Sequence, residues 1–364
     1  DESVARAAAR ALGKIGGAEA GKALRAASPK SAAVVRPAVA DALLRCADVL
    51  RDEGDAKGAA AICREVYESR EAMHVRAAAF RGLVLASGDR AATLVAGALK
   101  GTDPAARVAA FPLVRELPGA EATKAFASVL PRTDAVRPQI APDVQVSLLE
   151  ALSQRGDVTA QSAVASAAKA REVTVRVAAW KALGELGDAS AVRQLAEAAA
   201  AATGDEREAA RESLARLQRG NVRETLFALL QKGRPEVRME LARALASRAD
   251  QQAMPTLLKM AQEPDERIQS ASLRALAELA GEKEVPALVG LLTGAKTDAV
   301  REEAERSLES VSARSKQPQQ LSAPVLGAMD GASLPARCST SSPPPSPSAS
   351  PPRYAPCTAS PLPS

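Results

Sequence analysis

A spacing constrains this chain more than any single residue does. The block VTVRVAAWKALGELG, residues 173–187, recurs along the body when it is aligned on Val175. Lead positions fall at Val4, Val35, Val75, Ala106, Val144, Val175, Glu206, Val237, Ile268 and Val300, with steps of 31, 40, 31, 38, 31, 31, 31, 31 and 32. Eight residues after each lead stand Leu12, Leu43, Leu83, Val114, Leu152, Leu183, Leu214, Leu245, Leu276 and Leu308. A period held this long implies a stacked array of small units.

Within each unit the apolar positions fall at 0, 4, 7, 8 and 11 from the lead, which is one stripe of a helix, here helix B. A second stripe upstream, helix A, has its own column in Val164, Leu195, Leu226, Leu257 and Leu288. Pro104, Pro142 and Pro235 sit two residues before a lead, a first-turn position where a missing N–H costs little. Gly16, Gly156 and Gly187 end B helices, where a left-handed residue is expected. Aromatics are 2% of the chain, and a core of Ala, Leu and Val suits closely packed helices. No strand pattern is found. The expectation is an all-α solenoid of about ten hairpins, a rod on the order of 90 Å long if helices pack 8–10 Å apart.

The pattern Val175-Arg176-Val-Ala178-Ala179-Trp-Lys-Ala182-Leu183-Gly184-Glu-Leu186-Gly187 resembles the HEAT repeat in its short bacterial form, the type also found in phycobilin lyase subunits. The resemblance spans residues 1–314. It implies a right-handed superhelix whose B helices line the concave side, and it leaves function open, because such arrays serve many partners.

Composition narrows the function classes. The net charge of +5 includes +2 from the residues beyond Ser315, so the body is close to balance. A nucleic-acid binder carries a marked basic excess. Of the four cysteines, Cys46, Cys63, Cys338 and Cys357, none forms a CxxC pair. His74 is the single histidine, and Val75 follows it. The HEAT-like metal hydroxylases that the resemblance brings in use several His-Glu pairs, so that activity is not expected. No GxSxG and no P-loop is present. The expectation is a protein that is not an enzyme and needs no cofactor or metal. No signal peptide or eighteen-residue apolar run is read. The compartment stays open, with a cytoplasmic setting favoured and export compatible with a start at Asp1.

Three columns are candidates for a role. One residue past the lead stand Arg36, Arg76, Arg107, Arg176, Arg207, Arg238 and Arg301. They suit a structural ladder to loop carbonyls or acidic caps such as Asp103, with an anion track as the alternative. Phe80, Phe111 and Trp180 share the column five past the lead and suit packing between units. Two past the lead, Ala77, Val108, Val146, Val177 and Met239 point away from the stripe. Four further on come Arg81, Glu150, Lys181 and Arg243. An apolar row edged by both charge signs suits a peptide or helix partner.

The expected function is therefore a non-catalytic, protein-binding scaffold, monomeric or part of a larger chain. The alternatives are a nucleic-acid-binding protein like the HEAT-like DNA glycosylases and an accessory subunit of a chromophore lyase. Residues 1–314 form the expected array. Its first unit lacks helix A, so Val4, Ala8, Leu12 and Ile15 have no partner, and either a longer array or another domain before it is expected. Glu303 and Glu305 suit a last unit with one face in water. The seventh unit has Glu206 as lead and Arg211 on its flank, so a loose joint or bend is expected there. Longer connections are expected at Arg51–Asp55 and Pro131–Pro142. Residues 341–364 hold nine Pro and seven Ser, and 315–364 is expected to be a disordered tail.

Overall fold

The computed structural model of the chain describes residues 1–131, 140–316, 318–323 and 326–327. In order the helices are α1 (Glu2–Ile15), α2 (Gly17–Ala27), α3 (Arg36–Asp52), α4 (Ala56–Glu68), α5 (Met73–Leu85) and α6 (Ala91–Lys100). There follow α7 (Pro104–Glu116), α8 (Ala120–Ala127), α9 (Pro142–Arg155), α10 (Gln161–Ala167), α11 (Val173–Leu186) and α12 (Ala191–Ala201). The last are α13 (Gly204–Arg216), α14 (Val222–Lys232), α15 (Pro235–Ser247), α16 (Met254–Met260), α17 (Glu266–Leu279), α18 (Val285–Thr293) and α19 (Asp298–Arg314). Odd helices are the B helices and even ones the A helices. Among the described residues there is no strand, only an isolated bridge between Asp188 and Arg219. The molecule is an α-solenoid in which each B helix packs on its own A helix and on the next B helix.

Local chemistry sets the helix ends. Asp1, Asp55, Asp103 and Asp265 accept N–H bonds at the starts of α1, α4, α7 and α17, and the Thr297 hydroxyl does so for α19. Each satisfies an amide that the helix leaves open. Pro104, Pro142 and Pro235 open α7, α9 and α15. Gly156 ends α9 in the left-handed region, at φ 72° and ψ 9°. Gly187 does not follow it: at φ −71° its backbone is ordinary extended chain. Its need is space, since a Cβ there would lie 2.4 Å from the Leu183 carbonyl oxygen and 3.0 Å from Leu217.

The A-helix column Val164, Leu195, Leu226, Leu257 and Leu288 is fully buried, as are Leu152, Leu183, Leu214, Leu245 and Leu276 of the B helices. Each such leucine contributes about 1.5–3 kcal/mol by leaving water. The interior divides at α5. Ala79 and Leu83 face a smaller cluster formed with α1–α4, whereas Phe80 and Val84 face the larger one that runs to α19. Tyr67 of α4 fills the joint. Its ring touches both clusters, and its hydroxyl donates to Asp103 at 2.5 Å.

Three expectations about joints need correction. The long connection at Arg51–Asp55 is three residues, because α3 is 17 residues long and runs on to Asp52. The looseness expected at the seventh unit is one-sided, since α13 packs tightly on α11. The B-to-B packing thins one joint later, between α13 and α15, and α12 reaches across to α15 instead. Glu303 does not face water: it is 7% exposed, buried under arginines described below. Residues 132–139 of the Pro131–Pro142 connection, and most of the expected tail, lie outside the described residues.

Unpartnered apolar side chains do mark the first helix, with Val4 63% and Ile15 73% exposed. No helix among the described residues is long and apolar enough to cross a membrane.

Candidate functional site

The arginine column is used inside the array. Arg76, Arg107, Arg176, Arg207 and Arg238 each donate to a carbonyl at the end of the A helix of their own unit: Tyr67, Gly101, Ala170 and Arg171, Ala202 and Leu230 respectively. A helix C-terminus carries unpaired carbonyls and partial negative charge, so a cation there meets both needs. Three of the five also reach the next unit. Arg76 bonds Asp103 at 2.9 Å, Arg238 bonds Glu263, and Arg176 grips both oxygens of Glu206 at 2.7 Å. Asp103 thus serves Arg76 of the preceding unit and not Arg107. Gln145 replaces Arg in the column and donates instead to the Ile140 carbonyl just before its own helix, at 2.7 Å. The ends differ: Arg36 makes one 3.4 Å bond to the Ser31 carbonyl, and Arg301 pairs with Asp298 of its own helix in solvent.

These bonds leave electrostatic traces. Arg176 holds the Glu206 carboxyl below its ordinary range, and Arg238 does so for Glu263. Burial pushes the Tyr67 hydroxyl up to about 12, with the Asp103 charge adding to it. Phe80 and Trp180 are buried and Phe111 half-buried. The Trp180 indole donates to Glu206 at 3.2 Å, so the ring packs with its polar edge satisfied.

The row two past the lead is uneven. Val108 is 55% exposed. Ala77, Val146 and Val177 are half-buried and touch the core, because neighbouring B helices shade them. Along its edge Glu150 and Lys181 are exposed, and Arg81 pairs with Glu116 of the next B helix.

Beyond α13 the face becomes charged and indented. A cleft of about 330 Å³ opens between α13 and α15, and a second of about 390 Å³ spans α15, α17 and α19. Met239 lines the second and Arg243 lines both. Arg211 grips both oxygens of Glu240 at 2.7 Å. Arg274 and Arg306 both donate to the buried Glu303, at 2.7 Å and 2.9 Å. Among the described residues no group of three His, Cys, Asp or Glu side chains could hold a metal.

A second arginine set was missed by the column reading. Arg155 donates to the carbonyls of Val114, Leu117 and Gly119 and to the Thr123 hydroxyl. Arg248 donates to those of Ala215 and Leu217. Each caps the end of the preceding B helix, and burial pulls the pKa of both guanidinium groups down. The signal was present. Both stand eleven past the lead, where other units have an apolar residue such as Leu186 or Leu279, and each is followed two residues later by an Asp.

Residues 133–215 and 223–309, just under half of the chain, match the family model of HEAT repeats, so those two blocks are HEAT repeats. No functionally curated sequence matches the chain. Similar solved structures include human deoxyhypusine hydroxylase in complex with glycerol, at 18% identity over 66% of this chain and 94% of that one, with a TM-score of 0.30. The complex of CpcE and CpcF of phycocyanin lyase from Nostoc sp. PCC7120 matches at 18% identity over 65% and 94%, with a TM-score of 0.30. Kap121p bound to Nup53p matches at 13% identity over 91% and 43%, with a TM-score of 0.41. Scores at this level carry nothing about activity or partner.

Proposed function

We propose that this protein is a non-catalytic scaffold that holds a protein partner along the exposed face of its B helices. The observation behind the reading is the apolar row centred on Val108, which lies open between edges of both charge signs. An exposed valine flanked by half-covered Ala77, Val146 and Val177 offers a partner helix or strand a surface to dehydrate, with charges placed to set its register. Most of the arginine column is bonded to helix ends and carboxylates, so it offers little to a phosphate backbone.

The test is direct. Partners captured from lysate are identified and titrated against the wild type and against Val108→Glu and Val177→Glu. A charge in the centre of a protein interface is expected to weaken binding at least about tenfold. Unchanged affinity in both variants defeats the reading, and so does measurable turnover of a small molecule by the wild type alone.

A further inference from the structure

We infer that the two clefts flanking α15 receive an acidic segment of the protein partner, with a partner carboxylate seated on Arg243. This rests on the reading that the B-helix face binds protein, and it names the chemistry of the bound segment.

The case begins with what the clefts leave unsatisfied. In the second cleft, Arg211, Arg274 and Arg306 each grip a glutamate of this chain, as described above. Arg243 stands among them, exposed, and makes no ion pair or hydrogen bond among the described residues. Its column-mate on the preceding B helix is Glu212, which lines the first cleft. The two do not come within ion-pair distance, because α13 and α15 are held open around that cleft. The open joint therefore keeps one guanidinium free in a wall of used ones.

Charge then selects the occupant. The second cleft presents four arginines against Glu240, Glu278 and Glu303. Its remaining lining includes Met239, Ala271, Ala275 and Ala277. A carboxylate matches the planar fork of Arg243 with two parallel bonds, and small apolar neighbours on the same segment cover the alanines. A nucleic acid fits worse. Its evenly spaced phosphates would run past Glu208 and Glu212 in the first cleft and Glu278 in the second, and like charges at contact cost several kcal/mol. One acidic side chain at Arg243 meets none of these. Each cleft lies in the size range of sites that bury a few side chains, roughly 300–1,000 Å³.

Fluorescence anisotropy with labelled twelve-residue probes tests this. The probes are Ala- and Ser-based peptides with a single central Glu, Gln or Lys, and a twelve-nucleotide single-stranded DNA is the fourth ligand. The Glu peptide is expected to bind at least tenfold more tightly than the Gln and Lys peptides, and less tightly as salt rises. Arg243→Glu and Arg243→Ala are each expected to lose tenfold or more of that affinity with an unchanged melting temperature, since Arg243 makes no ion pair or hydrogen bond among the described residues. Arg243→Lys should retain part of it. Equal binding of the Gln peptide, tighter binding of the DNA, or undiminished binding of the Glu peptide by Arg243→Glu would each overturn the inference. Val108→Glu separates the two ideas. It is expected to leave Glu-peptide binding intact while weakening the captured partner. Loss of the acidic site with a surviving Val108 effect removes this inference alone.

Discussion

The joints on either side of α13 carry the same kind of ion pair and close differently. Arg176 grips Glu206 across the α11–α13 joint, and Arg211 grips Glu240 across the α13–α15 joint, each with two bonds of 2.7 Å. The side chains are similarly buried, at 23% and 14% exposure in one pair and 21% and 12% in the other. Yet the first joint is shut and the second holds a cleft of about 330 Å³. The closest backbone approaches in the shut joints lie at the smallest residues. Gly184 of α11 faces Ser213 of α13 so closely that a Cβ on it would lie 2.7 Å from the hydroxyl and 3.0 Å from the Ser213 Cα. Gly13 faces Ala42 in the same way across the α1–α3 joint, at 2.8 Å. At the open joint the equivalent positions are Ala215 and Ala244, and both line the cleft. A methyl group alone does not open a joint, because Ala246 and Ala275 hold the same positions in the closely packed α15–α17 joint. The α13–α15 joint differs in that α12 reaches across to α15 there, and the Arg211–Glu240 pair does not close the gap.

The largest effect should come from removing that asymmetry. Gly184→Val sets a branched Cβ 3.0 Å from the Ser213 Cα and is expected to destabilise the fold by about 3 kcal/mol, read as a lower urea midpoint. A loss under about 1 kcal/mol would show that the α11–α13 joint yields easily and would break the comparison. Arg176→Ala and Arg211→Ala come next. Each strands a mostly buried carboxylate and is expected to cost about 2 kcal/mol. Near-equal losses support the view that the pairs hold the joints without setting their width. A loss at Arg176 several times that at Arg211 would assign the closure to the pair instead.

Acid sharpens the same point with a smaller effect. Glu206 has a folded pKa below its ordinary 4.5, held there first by the bonds from Arg176. Its unfolded form therefore binds a proton more readily. The stability this group contributes is complete above about pH 5 and is lost as pH falls through the depressed folded value. Glu206→Gln is expected to flatten the decline of stability between pH 5 and 3. An unchanged slope would mean that other carboxylates control it.

The smallest effect is expected at Ala249, which follows α15 with φ 52°, a left-handed position that Gly156 fills after α9. Ala249→Gly is expected to raise stability by about 0.5 kcal/mol through relief of that strain. A drop in melting temperature would count against strain at this end of the open joint.

Much of this was legible in the residues. The 31-residue period and its apolar columns carried the helices, their order and their stacking, because a helix face shows directly in spacing. The arginine column showed too, since its position repeats. What misled was a rule that polar means loose. Glu206, Arg211 and Glu303 stand where most other units are apolar, and all three lie half-buried or buried because an opposite charge arrives from the neighbouring unit about 29–30 residues away. Arg155 and Arg248 escaped notice for the mirror reason: they are two arginines in an otherwise apolar column, and the carbonyls they cap carry no sequence signature. Met239 and Arg243 stand in two neighbouring columns of the repeat, but nothing in the spacing shows that they meet at a cleft.

The repeat by itself determined an all-helical array and which face of each helix turns inward, because periodicity is a property of one chain segment and its core. The widths of the joints, the division of the core at α5 and the unpaired state of Arg243 were decided only in three dimensions. Each depends on the distance between two helices, and that distance is set jointly by the side chains of both and by the helices that pack across them.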